Sequence, residues 1–180
     1  MTATHQATSE PTTQPTTQAT TQAAGKQAAR SDAEPRWLSD HEQTVWRAYL
    51  AMIRMVGERL ERQLQQDAGM PHTYYLILAM LSEAPQRTMR MSELAAMAGT
   101  SQSRLSHAAA RLEESGWIVR RPSAADKRGS LATLTDEGFT ILAATAPGHV
   151  EEVRSTLFDP LTPAQVNQLH AIAAAVTSHH

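Results

Sequence analysis

A run of short polar and cationic side chains between residues 101 and 111 is suited to contacting an anionic, hydrogen-bonding surface. If this run is helical and turns Leu105, Ala109 and Leu112 inward, its polar members lie on the outer face or its flanks. Such a helix can reach base edges and phosphates in a DNA major groove, with Arg104 as the best base-reading candidate. The contact candidates are Ser101, Gln102, Ser103, Arg104, Ser106, His107 and Arg111.

Three of these residues have simpler interpretations. Ser101 stands where a helix begins, so its hydroxyl could serve only as an N-terminal cap, and Ser103 could do the same. His107 could be an ordinary exposed histidine. These alternatives concern single residues and leave the cationic face itself in place.

A second cationic segment follows in residues 120–129. An arginine at the tip of a hairpin, here Arg128, can enter a minor groove, where the negative potential of DNA is strongest. Asp126, two residues before it, can orient the guanidinium through a bidentate pair. Taken alone, the segment could equally be a run of solvated charges. Directly after a helix that can contact base edges, it indicates a DNA-contacting wing. The wing candidates are Arg121, Asp126, Lys127 and Arg128.

The spacing before these segments is typical of a helix-turn-helix. Ala95 is small where two helices must cross closely, and Gly99, four residues later, can adopt the positive φ of a tight turn. Leu105 and Ala108 would then face the first helix of the pair. The spacing therefore predicts helices over about 92–98 and 101–115, followed by strands over 117–121 and 130–134 that form the wing.

Further helices must position this unit. Apolar residues three to four apart predict a long helix that begins near Ser39 and ends at 67–69, and Pro71 begins a second helix that runs to Glu83. Residues 89–91 are expected to be a short link. A fifth helix begins at Thr135, and the sixth begins after Thr162. The order is helix, helix, helix, helix, strand, strand, helix, helix, in the mainly α (α+β) class.

Pro147 interrupts the apolar stripe of the fifth helix. Proline removes one backbone hydrogen bond and clashes with the preceding turn, so a kink or a break is expected around residues 146–148. The pair Asp159-Pro160 is expected to end the helical run.

Composition narrows the possible functions. The chain contains no cysteine, which excludes disulfides, thiolate metal sites and thiol-based redox sensing. Between residues 87 and 128 eight basic residues face four acidic ones, whereas from residue 135 onward one arginine faces five carboxylates. A basic middle beside an acidic C-terminal part indicates one lobe that faces nucleic acid, although scattered surface charges would give the same count.

The first 36 residues are rich in Thr, Ala and Gln and are expected to be a disordered tail. No apolar run is long enough to span a membrane, and the N-terminus does not have the layout of a signal peptide. A cytoplasmic protein of bacterial type is expected.

The segment 126–138 resembles the wing signature of the multiple antibiotic resistance regulator (MarR) family, an Asp-x-Arg followed by Leu-Thr-x-x-Gly. Residues 111–118 are similar to the exit of that family's recognition helix. The resemblance extends over about residues 38–176 and implies a homodimer. Its helices 38–68 and 136–178 would form the dimerisation region, its winged helix-turn-helix 71–135 would bind a pseudo-palindromic operator in double-stranded DNA, and a crevice between them would be tunable by a ligand.

The apolar stripes of the terminal helices support a dimer independently, although an intramolecular bundle could also bury them. A small aromatic or acidic effector would fit near the first, second and fifth helices, where the candidate contacts are Trp46, Tyr49, His72, Tyr75 and Arg90. These aromatic residues could instead be ordinary core.

No cofactor is expected. The histidines are dispersed apart from the terminal pair His179-His180, so no metal site is predicted. The sequence contains no phosphate loop, nucleophile elbow or catalytic carboxylate pair, so an enzyme is the least supported class. The leading hypothesis is a ligand-responsive repressor. The alternative is a winged-helix protein-interaction or dimerisation module without sequence-specific DNA binding.

Overall fold

The computed structural model of the chain describes residues 35–123 and 129–178. Residues 35–39 form neither helix nor strand, and residues 1–34 of the predicted tail lie outside the described ranges. No helix in these ranges is long and apolar enough to cross a membrane.

The longest helix, α1 (Asp40–Ala68), buries only its C-terminal part through Leu60, Gln63 and Leu64. It ends because Gly69 adopts a φ of +62°, which L-residues rarely tolerate. Helix α2 (His72–Glu83) follows Pro71 as its N-cap. Every residue from Tyr74 to Ser82 is buried or partly buried, as the nearly continuous apolar sequence predicts. The buried ones are Tyr75, Ile77, Leu78 and Leu81.

A 3-10 turn, Pro85–Arg87, leads out of α2 with two consecutive left-handed residues, Gln86 (φ 53°) and Arg87 (φ 54°). The Arg87 guanidinium lies 4.0 Å from the ring centre of Phe139 and 3.1 Å from a carboxylate oxygen of Asp136. Arg87 therefore connects this turn to the residues that begin the fifth helix.

A three-stranded antiparallel sheet forms in the order β1-β3-β2. The strands are β1 (Thr88–Arg90), β2 (Ile118–Pro122) and β3 (Ser130–Leu134). The prediction that residues 89–91 are only a link was wrong. A three-residue strand has no detectable alternation of its own, and this one exists through its pairing with β3, where the hydroxyls of Thr88 and Thr133 lie 2.9 Å apart.

Between β1 and β2 come α3 (Met91–Met97) and α4 (Gln102–Glu114), each within one residue of its predicted bounds. The core lies where these helices, α2 and the sheet meet the end of α1. Its largest side chains without solvent exposure include Leu64, Leu78, Leu94, Leu105 and Leu112.

Helix α5 (Asp136–Val153) is capped by Thr135 and is followed by a short π-helical segment, Arg154–Phe158. The helix continues through Pro147, so of the expected kink or break the break does not occur. The physical reason is packing: α5 lies along α1 so closely that a Cβ on Gly148 would be 3.2 Å from Asp67 and from Gln63. Such packing offsets the single backbone hydrogen bond that proline removes.

Helix α6 (Pro163–Thr177) begins as predicted, with Pro163 in the first position. The hydroxyl of Thr162 accepts a hydrogen bond from the backbone N–H of Gln165, whose side chain in turn accepts one from the N–H of Thr162. No residue of α6 is buried in the isolated chain.

Candidate nucleic-acid interface

The turn between α3 and α4 is built as the spacing of small residues predicts. Gly99 adopts a φ of +59°, and the backbone N–H of Thr100 donates to the carbonyl of Ala95 over 3.1 Å. Ala95 and Leu105 are buried, so the two helices approach closely on that side. The prediction of a helix-turn-helix centred on Gly99 is confirmed.

Helix α4 presents its polar side to solvent. Its inward residues are Leu105, Ala108, Ala109 and Leu112, all buried. The seven candidate contact residues of the helix and its cap are all exposed: Ser101, Gln102, Ser103, Arg104, Ser106, His107 and Arg111. The structure thus places them together on a single surface element.

Two members of this surface already have intramolecular partners. The Ser101 hydroxyl accepts a hydrogen bond from the backbone N–H of Arg104 over 3.3 Å, so Ser101 does act as the N-terminal cap. The Arg111 guanidinium forms a solvent-exposed ion pair with Glu114 at 2.9 Å. Since both interactions are exposed, water and a ligand can compete for them.

The base of the predicted wing is a regular hairpin. Arg121 pairs with Leu131 and Pro122 with Ser130, while the N–H of Ser123 donates to the carbonyl of Gly129 over 2.8 Å. Arg121 is exposed. The remaining wing candidates, Asp126, Lys127 and Arg128, lie outside the described residues.

An ion pair that is not among the sequence-based predictions joins α4 to this hairpin. The Glu113 carboxylate accepts hydrogen bonds from the Nε and Nη2 atoms of Arg120 at 2.8 and 2.7 Å and from its backbone N–H at 2.9 Å. The backbone hydrogen bond is the largest cause that lowers the pKa of Glu113 below its usual 4.5, and the side-chain hydrogen bonds lower it further. Opposite charges seven residues apart, on either side of Gly116 with its φ of +76°, were the available signal.

The five residues predicted to line an effector site are divided among three places. Trp46 and Tyr49 stack on each other along α1, with ring centres 5.9 Å apart, and each is about half exposed. Arg90 lines a cleft beside α4. His72 and Tyr75 instead lie together, at the contact between α2 and α5.

The third aromatic ring at that contact belongs to His149, which is buried. Its ring centre lies 4.1 Å from that of Tyr75 and 5.5 Å from that of His72. The Nδ1 atom of His149 has no hydrogen-bond partner among the described residues. The histidines that appear dispersed along the chain therefore include a close pair, which α2–α5 packing assembles from positions far apart in sequence.

The environment of this cluster favours the neutral form of both imidazoles. Burial lowers the pKa of His149 below its usual 6.5, and the imidazole of His72 lowers it further. Burial also lowers the pKa of His72, while the carboxylate of Glu61 partly opposes that effect. Burial raises the pKa of Tyr75, so its phenol stays protonated. Among the described residues no group of three or more His, Asp or Glu side chains could hold a metal ion.

Comparison with known proteins identifies the family of this winged helix. A MarR family model matches residues 68–129. The solved structure of the MarR family transcriptional regulator Sco3205 from Streptomyces coelicolor, in complex with DNA, is 52% identical and superposes with a TM-score of 0.77. That match covers 81% of this chain and 91% of Sco3205. The chain belongs to the MarR family of transcriptional regulators.

Other relatives agree with this assignment to the MarR family. The structure of AbsC, a second MarR family regulator from S. coelicolor, is 37% identical with a TM-score of 0.75, over 81% of this chain and 97% of AbsC. The regulator PecS of Dickeya dadantii is 36% identical over 69 residues, which are 38% of this chain and only 41% of PecS. The mainly helical winged fold predicted from the sequence is that of the solved MarR family structures.

Proposed function

We propose that this chain is a sequence-specific DNA-binding transcriptional regulator that reads double-stranded DNA with α4. The observation that carries the proposal is the two-sided character of α4, whose inner face is buried and whose outer face exposes seven hydrogen-bonding or charged side chains. The relation to Sco3205, solved in complex with DNA, supports DNA binding by this chain. The function is binding without a catalytic step, and it takes place in the cytoplasm of a bacterial cell.

Within this interface, Arg104 is the proposed base reader, since arginine can make two parallel hydrogen bonds to one guanine edge. The proposed contacts on α4 are Ser101, Gln102, Ser103, Arg104, Ser106, His107 and Arg111. The proposed wing contacts are Arg121, Asp126, Lys127 and Arg128, with Arg128 in the minor groove and Asp126 orienting it.

The working unit is a homodimer in this proposal. Helix α1 exposes a set of large apolar side chains that a monomer would leave in water: Val45, Trp46, Tyr49, Leu50 and Ile53. On α6, Ile172 and Val176 are 63% and 61% exposed, and the helix buries nothing. A patch of this kind marks a protein interface. Residues 38–68 and 136–178 form the proposed dimerisation region around the winged unit 71–135.

Two-fold symmetry would place the two α4 helices in successive major grooves, roughly 34 Å apart, on a pseudo-palindromic operator. The regulator is proposed to repress, and a small aromatic or acidic effector is proposed to weaken binding by changing the separation of the two α4 helices. The cluster of His72, Tyr75 and His149 supports a site at the α2–α5 contact, because the buried Nδ1 atom of His149 has no hydrogen-bond partner among the described residues.

The proposal is tested by selecting duplexes from a random pool with the full chain and measuring affinities by fluorescence anisotropy. Wild-type protein is expected to enrich a palindromic duplex. Arg104→Ala is expected to lose about 1–3 kcal/mol of discrimination between that duplex and a scrambled one. Arg36→Ala is the matched control, since Arg36 is an exposed arginine that precedes α1 and lies outside both the winged unit and the proposed dimerisation region.

Enrichment of no sequence by a folded dimer would overturn the proposal and favour the protein-interaction alternative. If the Arg104 and Arg36 variants discriminated equally between the selected and scrambled duplexes, α4 would not be the element that reads the bases. Repression is tested with a reporter gene placed behind the enriched duplex, where an activator would raise the signal instead of lowering it.

A further inference from the structure

A polar cleft of about 300 Å³ lies between α4 and the base of the hairpin. The start of α3 forms its third wall. Six of its lining residues have polar side chains: Arg90, Ser92, Gln102, Ser106, Arg120 and Ser130. We call this site the inter-element cleft.

The two arginines of the inter-element cleft differ in their electrostatic state. Arg120 is neutralised by the Glu113 carboxylate, which holds it through two side-chain hydrogen bonds. The guanidinium of Arg90 forms no ion pair with any residue that the structure describes, and the nearby Glu93 carboxylate accepts only from the Arg90 backbone N–H, over 3.4 Å. Arg90 therefore gives the cleft a positive charge that an anion could balance.

The remaining polar walls suit an anion with several acceptor oxygens. The hydroxyls of Ser92 and Ser106 and the amide of Gln102 make no side-chain hydrogen bond within the described chain. Neutral donors of this kind, next to an arginine, are the side chains that contact DNA phosphates. No carboxylate is among the residues that line the cleft.

The position of the cleft relative to the proposed interface identifies the anion. The major and minor grooves of a duplex are separated by a sugar-phosphate strand. If α4 enters the major groove and the hairpin reaches the adjacent minor groove, that strand must pass between these two elements. The inter-element cleft lies in that gap.

We propose that the inter-element cleft seats one backbone phosphate of DNA per protomer, with Arg90 as its ion-pair partner and Ser92 and Ser106 as hydrogen-bond donors. The inference rests on the proposed function and adds a contact to it that is independent of base sequence. Arg120, held by Glu113, positions the hairpin wall and does not grip the phosphate.

A phosphate contact has a signature that a base contact does not. Each phosphate neutralised adds about 0.9 to the magnitude of the slope of log affinity against log salt. Arg90→Ala should therefore reduce that slope by about 0.9 per protomer and weaken binding roughly tenfold at moderate salt. The ratio of affinities for the selected and scrambled duplexes should stay the same, because every duplex carries the phosphate.

The experiment measures anisotropy titrations of the full chain on the duplex selected above, at several salt concentrations. Arg90→Ala is compared with Arg36→Ala, which removes the same charge from an exposed position before α1, outside the proposed dimerisation region. Arg90→Lys should restore most of the slope. Ser106→Ala tests a second proposed phosphate contact. Because Ser106 lies on the exposed face of α4, this variant leaves strand β1, which contains Arg90, unaltered.

Single methylphosphonate substitutions, which remove one phosphate charge each, locate the contact. At one position per half-site the substitution should weaken the wild type but have no further effect on Arg90→Ala. The cleft assignment would be overturned if Arg90→Ala had the salt slope of the wild type. It would also be overturned if the losses from Arg90→Ala and from methylphosphonate substitution added at every position. In either case, selection of a duplex by the wild type would leave the proposed function intact. Failure of the wild type to select any duplex would instead count against the proposed function.

Discussion

The Glu113 carboxylate, at the end of α4, accepts three hydrogen bonds from Arg120, the third residue of β2, one of them from its backbone N–H. The pair therefore fixes the hairpin against α4. In the proposed interface these two elements contact different grooves, so their relative position determines whether both contacts can form at once.

Replacing Glu113 with Gln should lower the free energy of unfolding by about 1 kcal/mol, since the amide loses the negative charge and turns an NH2 group towards one of the Arg120 donors. The measurement is urea unfolding at neutral pH. Glu114→Gln is the matched control, because that carboxylate pairs with Arg111 in a largely exposed geometry and its loss should have almost no effect.

The same variant makes a pH prediction. Because folding lowers the pKa of Glu113, its contribution to stability is present above the unfolded value of 4.5 and is lost as the pH falls through the folded value. The stability difference between wild type and Glu113→Gln should therefore shrink below pH 4.5. A difference that stays constant down to acid unfolding would contradict it.

Gly138→Ala should destabilise the fold by about 3 kcal/mol, because the new Cβ would be forced against backbone. It would meet the carbonyl of Trp117 and would lie 2.8 Å from the side chain of Leu134. Thermal unfolding measures the loss. Gly57→Ala, in α1 where a Cβ meets nothing within 4 Å, is the control and should stabilise the helix by about 0.5–1 kcal/mol.

The buried histidine pair predicts an acid-sensitive fold. Since burial lowers the pKa values of His149 and His72, protonation favours the unfolded chain, and stability should decline as the pH falls below 6.5 towards the folded values. The groups that face the pair are Glu61 on α1 and Tyr75 on α2. His149→Phe should flatten the decline below pH 6.5, as followed by urea unfolding.

The exposed His107→Gln variant is the control for this experiment, and it should keep the decline of the wild type. If the His149 variant kept the full decline as well, the acid sensitivity would have to come from another group.

Ile172→Asp should dissociate the proposed dimer, because a charge in an apolar interface is left without water or a partner. Sedimentation at micromolar concentration should give a monomer mass, and affinity for the selected duplex should drop at least tenfold. Asn167→Asp, five residues earlier and so on another side of α6, should remain dimeric. A dimeric Ile172→Asp would exclude this face of α6 from the interface.

Local sequence signals were sufficient for much of the fold. The caps, the Gly99 turn and the 3.6-residue periodicity placed α3 and α4 within one residue, because each signal lies in the segment that it organises. The signature Leu-Thr-x-x-Gly, at first only a resemblance, has a physical basis in the structure. The Thr135 hydroxyl accepts from the N–H of Gly138 and lies within hydrogen-bonding distance of the carbonyls of Gly116 and Trp117.

Features that depend on distant partners were not predictable in this way. Strand β1 exists through β3, the pairing of His72 with His149 needs α2 and α5 to pack, and α5 continues through Pro147 because of its neighbours. The candidate contacts on α4 were found because a helix displays its face in its own sequence. The cleft beside Arg90 could not be predicted from the sequence, because three separate elements form its walls.

Helix α6 contributes no side chain to the interior of its own chain. In the proposed homodimer its order depends on the concentration of protomers, because association and folding of this helix are then linked by mass action. Below the dissociation constant of the dimer, operator occupancy would rise with the square of the protomer concentration. The steepness of the regulatory response would thus be determined by how much of the protein a cell makes, in addition to any effector that it meets.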